Sequence, residues 1–277
     1  MSLEALNPFL SSSIGKTCKS PISVLQIRLQ CQGEMLKNGI ITSNYKGPLE
    51  CVSRIIKEEG FLAFWKGNFT QILKYFPNLF FNLKFKKAFD KYKYKQNEVA
   101  YWKWFSGNLL SGALSSACSL ALTYPLDFAT TRLINDINIG NTNQFNGLID
   151  VLSKTIETDG VQGLYRGFFV SIFGIMVYRA CYFGFYDTFR HLIPKKSFVR
   201  QFLFGLAVTI ASGLATYPLD TIRRRMMMNS GYNNGWECFT YILKNEGVRS
   251  FFKGAGVNII GALVAAFTLV LYDLYSY

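Results

Sequence analysis

Tyr217-Pro218-Leu219-Asp220-Thr221-Ile222-Arg223-Arg224-Arg225-Met226-Met227-Met228 ends an uncharged run of 18 residues, Phe202 to Leu219. An apolar segment of this length is nearly enough helix to cross a bilayer, which needs roughly 20 residues. A proline, an acid, three arginines and three methionines follow at once. That order suits the narrow end of a membrane pore. Around it, 50% of the 277 residues are hydrophobic and 17% are charged, below the roughly 25% usual in soluble proteins. The net charge is +13. In a soluble protein that excess points to nucleic acid. Here the cations alternate with long apolar runs, so an anionic solute or lipid surface is the expected partner.

Six segments read as spans. They are about Leu3 to Gln32, Phe69 to Lys93, Trp104 to Leu126, Phe168 to His191, Phe202 to Leu219, and Gly254 to Tyr272. Trp104 to Leu126 is the plainest, with no charge over 23 residues. Glycines and serines cluster in the third and fifth spans, which lets helix backbones approach closely in lipid. Pro21, Pro125 and Pro218 stand near the ends of the odd spans, where a proline removes a helix hydrogen bond and predicts a repeated bend.

Amphipathic stretches at Lys46–Lys57, Gly147–Glu157 and Gly235–Asn245 predict surface helices. After each comes the same spaced pattern: Glu59-Gly60…Trp65-Lys66-Gly67, Asp159-Gly160…Tyr165-Arg166-Gly167, and Glu246-Gly247…Phe252-Lys253-Gly254. The chain therefore divides into three repeats, 1–99, 100–197 and 198–277. The expected architecture is an all-α membrane domain of six transmembrane helices with pseudo-threefold symmetry, plus three short surface helices. One chain supplies all six, so a monomer suffices.

A charge within a span is costly and by default faces a wet, functional interior. Lys16, Lys74 and Arg179 meet that condition, and Arg224 lies at the foot of the same path. Together they predict a positive funnel for a polyanion, with arginine forks and lysine point charges suited to phosphate. Lys19 reads as a cation that snorkels to an interface, and Arg225 as facing solvent or lipid head groups. Met226, Met227 and Met228 read as packing residues. Six cysteines without a CxxC pair, and the single His191, predict reduced, mostly buried thiols and no metal site. No cofactor is implied. A Gly-x-x-x-x-Gly-Lys-Ser/Thr loop is absent, and so is any nucleophile or acid/base constellation, which argues against an enzyme. The N-terminal Met1-Ser2-Leu3-Glu4-Ala5 has no signal or transit character, so targeting is expected to be internal.

The triple repeat and the Arg223–Met228 signature resemble the mitochondrial carrier family, and within it the ADP/ATP carrier branch. Tyr75-Phe76-Pro77, Tyr124-Pro125-Leu126-Asp127, Tyr178-Arg179-Ala180 and Leu269-Val270-Leu271-Tyr272-Asp273 carry the resemblance further. It implies an ADP/ATP antiporter working by alternating access at one central site. A carrier of a wider nucleotide range, or of another anion such as phosphate, is the alternative. It also implies a mitochondrial inner membrane, or that of a reduced mitochondrion-related organelle. By resemblance, Lys16, Lys74 and Arg224 contact phosphates. Gly174, Ile175 and Tyr178 form the adenine slot, and Asn82, Leu120 and Thr216 are further contacts. The family has an arginine where this chain has Gly261, so one expected phosphate contact is gone.

The resemblance further implies two gates. The matrix gate comprises Asp127, Asp220, Arg223, Ser23, Gln26 and Thr130, braced by Gln30. Ser23, Gln26 and Thr130 lack the family's charges, leaving Arg223 to meet two acids and predicting an easier opening on that side. The cytoplasmic gate comprises Lys87, Asp90, Asp187, Arg190 and Asp273, with Lys87 and Asp90 exchanged in sign relative to the family. Cardiolipin head groups are expected where Gly67, Gly167 and Gly254 pair with Gly47, Gly147 and Gly235, because free N–H groups at helix starts attract anions.

Overall fold

The computed structural model describes residues 3–90, 101–137, 144–192, 198–228 and 231–264. Among these the regular structure is helical. The order is α1 (Leu3–Lys37), α2 (Pro48–Glu58), α3 (Asn68–Asp90), α4 (Tyr101–Ile134), α5 (Leu148–Gly163), α6 (Phe168–Phe189), α7 (Phe198–Met228), α8 (Gly235–Asn245) and α9 (255–264). Short 3₁₀ turns, Phe61–Trp65 and Val248–Phe252, lead into α3 and α9. In the middle repeat Gly160 (φ 68°) breaks α5 at the equivalent place.

The long helices α1, α4 and α7 run unbroken through Pro21, Pro125 and Pro218. α3 packs along α4 and α6 along α7, so the closest pairs cross repeat boundaries; α1 meets both α3 and α7 and brings the first and third repeats together. Local chemistry starts the surface helices. Pro48 opens α2, where a missing N–H costs nothing. Asn234 caps α8 by accepting a hydrogen bond from the Glu237 amide (2.9 Å), while the Glu237 carboxylate accepts one from the Asn233 amide (2.9 Å).

Each repeat builds its own apolar core beneath the proline of its long helix. One joins Ile27, Cys31, Cys51, Ile55 and Phe64; the second Tyr124, Phe128, Val151 and Leu164; the third Ile222, Cys238, Ile242 and Phe251. The methionine triplet connects them. Met226, Met227 and Met228 are buried in the third, second and first core respectively. Consecutive helical residues point about 100° apart, so three neighbours on α7 reach three different cores.

Outward, large apolar side chains stand exposed along the long helices, among them Phe69, Leu73, Leu110, Leu122, Phe169, Phe173, Leu203 and Leu263. Among the described residues α6 and the Arg200–Met228 part of α7 are long and apolar enough to cross a membrane, each with mean hydropathy 1.6. All six cysteines are free. Cys31, Cys51 and Cys238 are buried, Cys118 and Cys181 half-buried, and Cys18 is exposed.

Candidate functional site: a cationic cavity closed by acids

A cavity of about 490 Å³ opens between the long helices. Its wall holds Lys16, Lys74, Arg224, Gly174, Ile175, Tyr178 and Thr216, seven of the residues expected to contact substrate. Leu120 and Arg179 line a side chamber that shares Ile175 and Tyr178 with it. The side chain of Asn82 lies outside the described residues. Sequence reasoning passed over Asn78, which lines both chambers and accepts the Ser119 hydroxyl at 2.7 Å through Oδ1. A lone asparagine carries no charge to signal a cost in an apolar span.

The cations are held in place individually. Lys16 lies over the Tyr75 ring, 5.7 Å from its centroid. Arg179 donates to the Ser116 hydroxyl (2.6 Å). Its guanidinium fills the space above Gly112, where a Cβ would collide with it. The small residue makes room for a cation there, rather than for a bare helix contact.

The floor differs from the expected arrangement. Arg223 is not the sole cation available to two acids. Lys74 reaches across from α3 to Asp127, Nζ to Oδ1 at 2.5 Å. Asp220 collects Arg224 (3.0 Å), the Gln30 amide (3.0 Å) and, more loosely, Arg223 (3.4 Å). Two cations expected to bind substrate thus double as partners of the gate acids. With Thr130 in place of a base, its hydroxyl turns back to the Leu126 carbonyl (2.7 Å), leaving Asp127 to Lys74. Ser23 and Gln26 line the cavity without charge. One oxygen of Asp127 and Nε of Arg223 are buried without a hydrogen bond, so the floor is incompletely satisfied.

Below the floor, the expected exposure of Arg225 is overturned. Its side chain is 0% exposed and forks onto Glu246, with Nη2 2.8 Å from Oε2, while Nε donates to the Gln30 carbonyl on α1 (3.0 Å). Arg28 does the same in the first repeat, forking onto Glu59 and donating to the Ile134 carbonyl on α4 (3.0 Å). Such planar forks suit guanidinium and carboxylate. Burial pushes the Glu59 carboxyl up, but the hydrogen bonds and charges of Arg28 and Lys66 outweigh it and hold it below the ordinary carboxylate range. Glu246 is lowered in the same way, against its burial, by Arg225 and Lys253. In the middle repeat the shorter Asp159 pairs with Arg166 (3.0 Å), and Arg132 Nε stays buried without a hydrogen bond. The signal was present in the sequence: Arg28, Arg132 and Arg225 each stand seven residues after their repeat's proline.

The aromatic-base-glycine triplets sit against the long helices. A Cβ at Gly254 (φ 86°) would come 2.9 Å from the Tyr217 hydroxyl and 3.1 Å from the Gln26 carbonyl. That hydroxyl donates to the Lys253 carbonyl (3.1 Å), as Tyr124 does to Arg166 (2.7 Å). Gly67 shares a pocket of about 320 Å³ with Gly147 of the next repeat. Near the C-terminal ends of α3 and α6, Lys87, Asp187 and Arg190 are exposed, and Arg190 sits over the Tyr186 ring. Asp273 and the side chain of Asp90 lie outside the described residues.

The family model described as "Mitochondrial carrier protein" matches residues 5–97, 101–197 and 194–276. The chain is 46% identical to an ADP,ATP carrier protein of Chlamydomonas reinhardtii, covering 95% of this chain and 90% of the relative. It is 47% identical to an ADP,ATP carrier protein of Schizosaccharomyces pombe, over 95% and 86%. It is 45% identical to a mitochondrial ADP,ATP carrier protein of Solanum tuberosum, over 95% and 72%.

Proposed function

The chain belongs to the mitochondrial carrier family, and from that premise we propose that it is an antiporter exchanging ADP for ATP. It acts in the mitochondrial inner membrane, or in the corresponding membrane of a reduced mitochondrion-related organelle. Relatives at 45–47% identity bear the ADP,ATP carrier name. One observation carries the reading: lysines and arginines from several helices converge on a single cavity whose floor is made of carboxylates. A nucleotide's phosphates compete with those carboxylates for Lys74 and Arg224. Binding thus offsets the cost of parting the floor, and only that differential affinity drives the conversion. Tyr178, beside Gly174 and Ile175, offers a ring to the adenine base. The exposed apolar faces of α3, α4, α6 and α7 meet lipid, and one chain suffices. The pocket joining Gly67 to Gly147, walled by Lys66, takes the head group of cardiolipin.

The test is uptake of labelled ADP into proteoliposomes preloaded with ATP, ADP, other nucleotides, phosphate or nothing. Uptake only against internal ADP or ATP is the expected result. Uptake against phosphate alone would assign the cavity to a different anion.

A further inference from the structure

We propose that Lys19 is a phosphate-binding residue of the cavity and that Gly261 on the facing helix exists to admit it. The inference rests on the nucleotide reading and adds a cation to it. Lys19 does not reach for a membrane surface, as an isolated lysine near a helix end would. It lines the same cavity as Lys16 and Lys74. Its stem crosses from α1 to α9 and lies over Gly261. A Cβ built there would come 3.2 Å from Lys19 Cε, 3.9 Å from Nζ and 3.1 Å from Ile22 Cγ2. Any side chain at 261 would have to displace the lysine.

The charge of Lys19 is uncompensated. Lys74 has Asp127, Arg224 has Asp220 and Arg179 has the Ser116 hydroxyl. Among the described residues Lys19 has no hydrogen bond and no ion pair. Lys16, one turn earlier on α1, has only the Tyr75 ring. Two like charges three residues apart on one helix repel each other, and inside a membrane-embedded cavity the cost is greater. A di- or triphosphate chain relieves both charges at once. The resemblance to the family placed an arginine at 261, and its loss counted as a missing phosphate contact. The geometry returns a cation to that corner from the opposite helix.

The experiment measures ATP-induced thermal stabilisation and ADP/ATP exchange in proteoliposomes for wild type, Lys19→Gln and the double variant Lys19→Gln with Gly261→Arg. The expected result for Lys19→Gln is a nucleotide-free melting temperature that is unchanged or raised, since a like-charge repulsion is removed, and about tenfold weaker ATP binding, the loss of one charged hydrogen bond. The double variant is expected to recover most of that affinity, because a guanidinium then occupies the vacated corner. If Lys19→Gln does not fold, Lys19→Met, which keeps the stem against Ile22, takes its place. Wild-type exchange with an unaltered Lys19→Gln overturns the assignment and leaves the antiporter reading standing. So does a nucleotide-free melting temperature that falls while ATP affinity holds, because Lys19 would then be structural. Wild-type protein that neither binds nor moves nucleotide overturns the antiporter reading and the assignment with it.

Discussion

Lys74 and Asp127 form the contact on which substrate binding and closure of the floor converge. Lys74 Nζ lies 2.5 Å from Asp127, both side chains are partly exposed to the cavity, and Thr130 offers no competing charge. A phosphate that engages Lys74 must first replace this carboxylate. Asp127→Asn removes the competitor. It is expected to tighten ADP binding about fivefold, the equivalent of the roughly 1 kcal/mol of a screened, partly exposed pair. Isothermal titration of the purified carrier checks this; unaltered affinity would mean that Lys74 stays with residue 127 when nucleotide binds. The sequence made Lys74 legible as a functional cation, because a charge in an apolar span needs a reason. It did not reveal the partner, which lies 53 positions away on another helix.

At the scale of elements, the long helices are tied to the surface helices and to each other by buried arginines. Arg28 joins α1, the Glu59 loop and α4; Arg225 joins α7, the Glu246 loop and α1. Glu59→Gln leaves Arg28, whose side chain is 1% exposed, without its counter-charge. The expected destabilisation is about 3–5 kcal/mol, as for other broken buried pairs, read as a lower melting temperature. The pH dependence follows from the same groups. Glu59 and Glu246 have folded-state pKa values below their ordinary 4.5. A depressed carboxylate contributes stability that is present above its unfolded value and lost as pH falls through the folded one. The carrier is therefore expected to hold its melting temperature from neutral down to about pH 4.5 and to lose it below, with Glu59→Gln showing a shallower acid limb. The arginines were findable, since seven residues are nearly two helical turns and keep proline and arginine within about 20° of one face. The exposure expected of Arg225 fails because it sits in a run of three cations, and only the packed loop around Glu246 says which is inside.

Across the whole molecule, consecutive repeats rather than single repeats form the working units. α3 with α4 and α6 with α7 are the tightest pairs, the methionine triplet feeds three cores from one helix, and the pocket at Gly67 takes its other wall from Gly147. A head group bound there bridges two repeats. Adding cardiolipin to delipidated carrier is therefore expected to raise its melting temperature, by the equivalent of about 2.7 kcal/mol at a hundredfold excess over its dissociation constant. Phosphatidylcholine is expected to leave it unchanged; an equal response to both lipids would remove the anion from the explanation. The sequence by itself determined the three repeats, the positions of the helices and the intramembrane cations, because periodicity, glycine placement and the cost of burying charge are written locally. Only the tertiary structure decided that Lys74 meets Asp127, that Arg225 meets Glu246, and that Lys19 fills the space over Gly261. Ion-pair partners and vacated volumes belong to helices brought side by side from distant parts of the chain, and no local pattern records which helix faces which.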